Sequence, residues 1–196
     1  MRKEKLRIFI AEDEPLILQG FKVMVSSLGH TIIGTAMNGQ DAIDRVPELR
    51  PDLAIMDINM PDVDGLQAIE AINRKIKLPF IVITGYQDPE LLEKAAQLGV
   101  FGYLPKPVDV CEIRNTIEIA MTRFEEVSKL EKDLADTQNA LKERKLLDRA
   151  KGILMEKMGI SEPQAMKHLQ KLARDRNTRL VVIAQEIINA STLFKL

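Results

Sequence analysis

Apolar and polar positions in the N-terminal half fall into two alternating patterns. Ile8-Phe9-Ile10-Ala11, Leu53-Ala54-Ile55-Met56 and Phe80-Ile81-Val82-Ile83 are short runs with apolar residues at every position, the pattern of strands covered by helices on both faces. Thr31 to Ala36 and Gly102 to Pro105 supply two further strands. Between the strands, helical spacing predicts helices over 15–28, 39–49, 66–76, 90–98 and from 108 onward. Five strands alternating with five helices predict an α/β fold, a doubly wound parallel sheet. Pro15 suits the first turn of the first helix, whereas Pro47 predicts a kink or a shortened last turn in the second.

Beyond residue 110 the pattern becomes purely helical. Ile113, Ile117, Ala120, Phe124 and Val127 step by four, three, four and three, and after one short step Leu130, Leu134, Thr137 and Leu141 repeat the pattern. One long helix follows, with a stammer near Val127 and a coiled-coil-like seam at Phe124, Val127, Leu130, Leu134 and Leu141. Such a stripe either joins two copies into a homodimer or packs on its own protein. Leu146, Leu147, Ala150, Ile153, Leu154 and Met158 carry the helix on to Gly159, a helix-stopping residue. Ser161-Glu162-Pro163-Gln164 has capping-box spacing and opens a second helix. Asn177-Thr178 ends that helix, and Leu180, Ile183, Ala184, Ile187 and Ile188 mark a third. A three-helix tail of this size buries little core without support.

A chain of 196 residues, 45% apolar and 29% charged, is expected to be soluble and to form one large or two small domains. No leader pattern and no membrane-spanning run is seen, and the single Cys111 suits a reducing, cytoplasmic setting. Charge is unevenly shared: residues 1–141 carry 16 Lys+Arg against 23 Asp+Glu, and residues 142–196 carry 12 against 6. An acidic front and a basic tail point to a polyanionic partner for the tail.

The strand ends hold the candidate chemistry. Asp57 follows a buried strand and enters Ile58-Asn59-Met60-Pro61-Asp62-Val63-Asp64-Gly65, the carboxyl edge where open α/β sheets place their sites; alone, it could equally start a turn. Glu12 and Asp13 end the first strand, Thr84 ends the fourth, and Lys106 follows the fifth. Three clustered carboxylates repel one another unless a lysine or a hard cation sits among them.

Glu12-Asp13, Asp57, Met60-Pro61-x-x-x-Gly65, Thr84, Tyr103 and Lys106-Pro107, in that order, resemble a two-component response-regulator receiver domain over 1–120. The resemblance implies a flavodoxin-like (βα)5 fold with strand order 2-1-3-4-5 and phosphorylation of Asp57 by a histidine kinase or a small phosphodonor. It also implies Mg²⁺ bound by Glu12, Asp13, Asp57 and the backbone carbonyl of Asn59, with Thr84, Tyr103 and Lys106 answering the phosphoryl group. A cis bond between Lys106 and Pro107 belongs to the same expectation.

Arg144-Lys145-Leu146-Leu147-Asp148-Arg149-Ala150-Lys151-Gly152-Ile153-Leu154-Met155, with Ser161-Glu162-x-x-Ala165 and Ala173-Arg174-Asp175-Arg176-Asn177-x-Arg179-Leu180, is similar to an ANTAR domain. That resemblance implies an all-α RNA-binding module over 143–196, after a helical linker over 121–142, that recognises stem-loops in a nascent transcript and prevents terminator formation. Candidate RNA contacts are Arg149, Lys151, Lys167, Lys171, Arg174, Arg176 and Arg179. Phe194 is the tail's sole aromatic residue, so base stacking falls to arginines or His168. A DNA-binding regulator and a protein-interaction switch stand as alternatives. An enzymatic output is not expected, since the tail has no triad, ligand cluster or phosphate loop. Activation by phosphorylation is expected to drive a homodimer.

Overall fold

A computed structural model describes residues 5–85 and 89–193; Phe194 lies outside them. In chain order the elements are β1 (Arg7–Ala11), α1 (Pro15–Ser27), β2 (Thr31–Ala36), α2 (Gly39–Leu49), β3 (Leu53–Asp57), α3 (Gly65–Asn73), β4 (Phe80–Thr84), α4 (Pro89–Gln97), β5 (Val100–Pro105), α5 (Val110–Met158), α6 (Glu162–Asp175) and α7 (Leu180–Leu193). They form two compact units, Met1–Ser128 and Lys129–Leu196, and α5 contributes residues to both.

In the first unit all strand pairs are parallel, in the order β2-β1-β3-β4-β5. This is the expected flavodoxin-like sheet. Every residue of β3 and β4 is buried, so their sequences show no polar alternation. One face packs Phe9, Ala54, Met56, Phe80 and Val82 with Ala42 and Val46 of α2 and Ile69 and Ile72 of α3. The other packs Ile8, Ile10, Leu53, Ile55, Ile81 and Ile83 with Phe21 and Val25 of α1 and Ile113, Ile117 and Ala120 of α5. The first three positions of the long stripe are therefore core of this unit.

Local chemistry sets the helix ends. The Asn38 and Asp64 side chains each accept a backbone N–H at 2.8 Å, from Asp41 and Gln67, and so cap α2 and α3. Pro47 has no N–H to offer the Ile43 carbonyl, and Lys75 Nζ donates to that oxygen at 3.3 Å instead. α2 ends within the same turn, at Arg50 with φ 47°. α3 is shorter than its spacing predicts, because the Lys75 and Ile76 N–H groups both close on the Ile72 carbonyl at 2.8 and 2.9 Å.

In the second unit the last part of α5 joins α6 and α7 around Ala150, Leu154, Ala165, Leu169, Ile183, Ala184 and Ile188. α5 stops at Met158, and Gly159 takes φ 63° with its N–H on the Met155 carbonyl at 3.0 Å. Gln164 reaches back to accept the Ser161 backbone N–H at 2.8 Å, as the capping-box spacing predicts. α6 ends where Asn177 turns left-handed at φ 48° and the Thr178 N–H reaches the Ala173 carbonyl at 2.9 Å.

Candidate functional site

Parallel strands bring their carboxyl ends to one edge of the sheet, and there Glu12, Asp57 and Thr84 are all buried. Carboxylate oxygens of Glu12, Asp13 and Asp57 lie within 4.8 Å of one another. Lys106, just past β5, places its Nζ 2.6 Å from Asp57 Oδ2 and 3.1 Å from Glu12 Oε1. Its backbone N–H donates to the Thr84 carbonyl at 2.9 Å, and the Lys106-Pro107 bond is cis as expected.

The loop after Asp57 is built to hold that carboxylate. Asn59 N–H donates to Asp57 Oδ1 at 3.1 Å, and Gly65 N–H donates to the Ile58 carbonyl at 2.8 Å, closing the loop on itself. A Cβ at Gly65 would collide with the Asp57 carbonyl, so only glycine permits this closure.

Burial and the neighbouring Asp57 charge outweigh the Lys106 contact at Glu12, whose carboxyl is pushed up to about 7. Burial alone would lower the Lys106 ammonium, but its hydrogen bonds to Asp57 and Glu12 prevail and hold it above its ordinary value. Glu12 Oε2 lies 3.0 Å from Lys106 Nζ, yet it is buried with no hydrogen bond among the described residues. A buried carboxylate oxygen short of donors, with two further carboxylates beside it, fits a hard divalent cation such as Mg²⁺. Tyr103 is half-buried on β5 and packs against the core on the α2–α3 side of the sheet; burial raises its phenol.

The cations singled out in the tail have two kinds of surroundings. Lys151 Nζ bonds Asp148 at 2.7 Å and Glu162 at 2.6 Å, Arg176 bonds Glu186 at 2.7 Å, and Arg179 bonds Glu143. Arg149, Lys167, Lys171 and Arg174 are exposed and make no ion pair among the described residues. Lys167, Lys171 and Arg174 recur at helical spacing on α6, away from its buried Ala165 and Leu169. Lys142 and Lys145, absent from the candidate RNA contacts, share the face of Arg149; their three- and four-residue spacing was the available signal.

Along the seam, Phe124 meets Phe101 edge-on, with centroids 5.5 Å apart. Val127, Leu130, Leu134 and Leu141 are exposed, Leu130 at 67%. Among the described residues, no helix is long and apolar enough to cross a membrane.

The parallel sheet and the carboxylate-lysine cluster at its edge define a receiver, the signal-accepting class of two-component proteins. A family model of the response regulator receiver domain matches residues 8–118, and a model of the ANTAR domain matches residues 135–188. Transcriptional regulatory protein PdtaR of Mycobacterium tuberculosis is 38% identical over 182 residues, 93% of this chain and 89% of that protein. Transcriptional regulatory protein YdfI of Bacillus subtilis is 30% identical over 203 residues, 92% and 95% of the two chains. The signal receiver domain of a modulated diguanylate cyclase from Desulfovibrio desulfuricans G20 superposes with a TM-score of 0.58 at 32% identity, covering 62% of this chain and 98% of that one.

The chain belongs to the response regulators that join a receiver to an ANTAR domain, a regulatory and non-enzymatic family. Receivers bind Mg²⁺ at an acidic site and imply a histidine kinase or phosphodonor as partner; an ANTAR domain implies RNA binding.

Proposed function

We propose that this response regulator is a phosphorylation-controlled antiterminator that binds stem-loops of a nascent transcript. The observation that carries the reading is the convergence of Glu12, Asp13, Asp57 and Lys106 at one sheet edge in a chain that ends in an ANTAR domain. Asp57 is the phosphoacceptor. Glu12, Asp13, Asp57 and the Asn59 carbonyl would hold Mg²⁺, which would supply charge neutralisation to the transferred group. Lys106, now paired with Asp57, moves its contact to a phosphoryl oxygen, and the Thr84 hydroxyl donates to another. Tyr103, on the strand that leads to Lys106, turns inward with Thr84. In the tail, Arg149, Lys151, Lys167, Lys171, Arg174, Arg176 and Arg179 form the cationic inventory for RNA phosphates.

Phosphorylation acts through the seam. Val127, Leu130, Leu134 and Leu141 are apolar, exposed and spaced for knobs-into-holes packing with a second copy. A dimer presents two tails to two hairpins and gains from bivalency. Sedimentation and RNA titration with and without a beryllofluoride mimic test this in the wild type and in Leu130→Lys. The mimic is expected to raise the mass and to tighten RNA binding by about 1–3 kcal/mol, with both effects lost in Leu130→Lys. Unchanged mass and unchanged affinity for hairpin RNA, or a preference for duplex DNA, would overturn the reading.

A further inference from the structure

Three faces run along α5 within the second unit. Leu146, Leu147, Ala150, Ile153 and Leu154 face the three-helix core. The seam continues through Arg144, Asp148 and Lys151 to Met155 and Met158, at alternating steps of three and four from Leu141. The remaining face carries Lys142, Lys145, Arg149 and Gly152, at steps of three, four and three.

We infer that this third face is where α5 lies against an RNA phosphate backbone, with Gly152 leaving room for close approach. The inference rests on the RNA-binding reading and assigns its contact surface. Lys142, Lys145 and Arg149 are exposed and have no ion pair among the described residues. The acids that flank them are already engaged: Glu143 by Arg179, and Asp148 by Lys151 at 2.7 Å. Internal ion pairs thus leave the positive charge of the stripe uncompensated. By contrast, Lys151, Arg176 and Arg179 must first release a carboxylate before they can reach a phosphate.

The stripe is local. On the same face further back stand Ser128, Glu131, Ala135 and Gln138, with no cation, and beyond Gly152 comes Glu156. The span from Lys142 to Gly152 covers about 15 Å of helix, a length suited to a short tract of backbone. Gly152 stands where this face borders the seam, beside an open cleft that it lines with Asp148, Lys151 and Met155. It sits inside α5, where glycine weakens a helix, and a Cβ added there meets nothing within 4 Å. With no Cβ on a face that carries Lys142, Lys145 and Arg149, Gly152 permits another backbone to approach closely.

The test titrates the full-length protein, activated with beryllofluoride, against a labelled RNA carrying two hairpins with randomised loops, over a salt series. Replacing Lys142, Lys145 and Arg149 together by Gln is expected to lower the magnitude of the log-log salt slope by about 2–3. The corresponding Lys167, Lys171 and Arg174 triple is expected to lower it less. Gly152→Ala is expected to raise the melting temperature of the tail while weakening RNA binding about tenfold; a merely structural glycine would not separate the two. If the wild type binds and both the α5 triple and Gly152→Ala bind equally well, the inference is overturned and the RNA reading stands. A Gly152→Ala effect on sedimentation mass alone would assign the opening to a second copy and overturn it as well. No binding by the wild type would remove both readings.

Discussion

The two charged regions of this regulator are built on opposite plans. At the receiver edge, three carboxylates and one lysine are forced together by strand ends, with Glu12 fully buried and the Lys106 side chain 20% exposed. In the tail, cations are spread over helix faces, and apart from Lys151, whose own side chain is covered, those with partners form ion pairs largely open to water, as Arg176 and Glu186 are at 58% and 53%. A buried cluster couples its members, so a charge added at Asp57 must be answered by Lys106 and its neighbours. An exposed array adds its members nearly independently and is read by a polyanion as a sum. The first plan suits the proposed switch and the second the proposed landing surface for RNA.

The comparison is most sharply exposed by Asp57→Asn. It removes the oxygen proposed as nucleophile while Asn59 and the glycine-closed loop stay in place, so labelling from acetyl phosphate should disappear entirely with the fold retained. Acid-labile label surviving on that variant, detected by mass spectrometry, would place the phosphoryl group elsewhere. The second effect contrasts equal truncations in the two regions. Lys106→Ala, measured by urea unfolding in EDTA, leaves two buried carboxylates without their cation and is expected to cost about 2 kcal/mol. Arg176→Ala loses one solvated pair and is expected to cost less than about 1 kcal/mol. Equal costs would erase the distinction between coupled and additive charge.

Why the receiver site was legible and the tail surface was not follows from the same geometry. A strand buried on both faces has one outlet for a polar group, its end, so Ile8 to Ala11 followed by Glu12 and Leu53 to Met56 followed by Asp57 announce a shared edge in one dimension. The long stripe was less transparent. Ile113, Ile117 and Ala120 are core, Phe124 meets Phe101, and only from Val127 onward is the seam open, because helical spacing does not say which neighbour an apolar face will meet. Ion pairs in the tail were beyond reach for another reason. Arg179 and Glu143 are 36 residues apart, and Lys151 and Glu162 are 11 apart on different helices. Their pairing depends on how three helices pack, so basic residues that look alike in the sequence divide into engaged and free only in the folded unit.

The smallest effect isolates burial from partnership. Glu12 is pushed up to about 7 from its ordinary 4.5, so between those values the folded protein holds a proton that the unfolded chain has released. The native state then binds more protons than the unfolded state, and unfolding free energy falls as pH rises through that window. In Mg²⁺-free buffer, the contribution of Glu12 to stability is therefore expected to be fully present below about pH 4.5 and to be lost towards pH 7, by no more than about 3 kcal/mol. Glu12→Gln should flatten this window, because an amide has no proton to lose. Adding Mg²⁺ to the wild type should flatten it too, since a cation beside the carboxylate favours its charged form. In the tail, Asp148 is shifted the opposite way, held below its ordinary value chiefly by its hydrogen bond to Lys151. The slope that Glu12 sets is the difference between wild type and Glu12→Gln, and urea unfolding of both at a series of pH values would refute the account if the two slopes coincide.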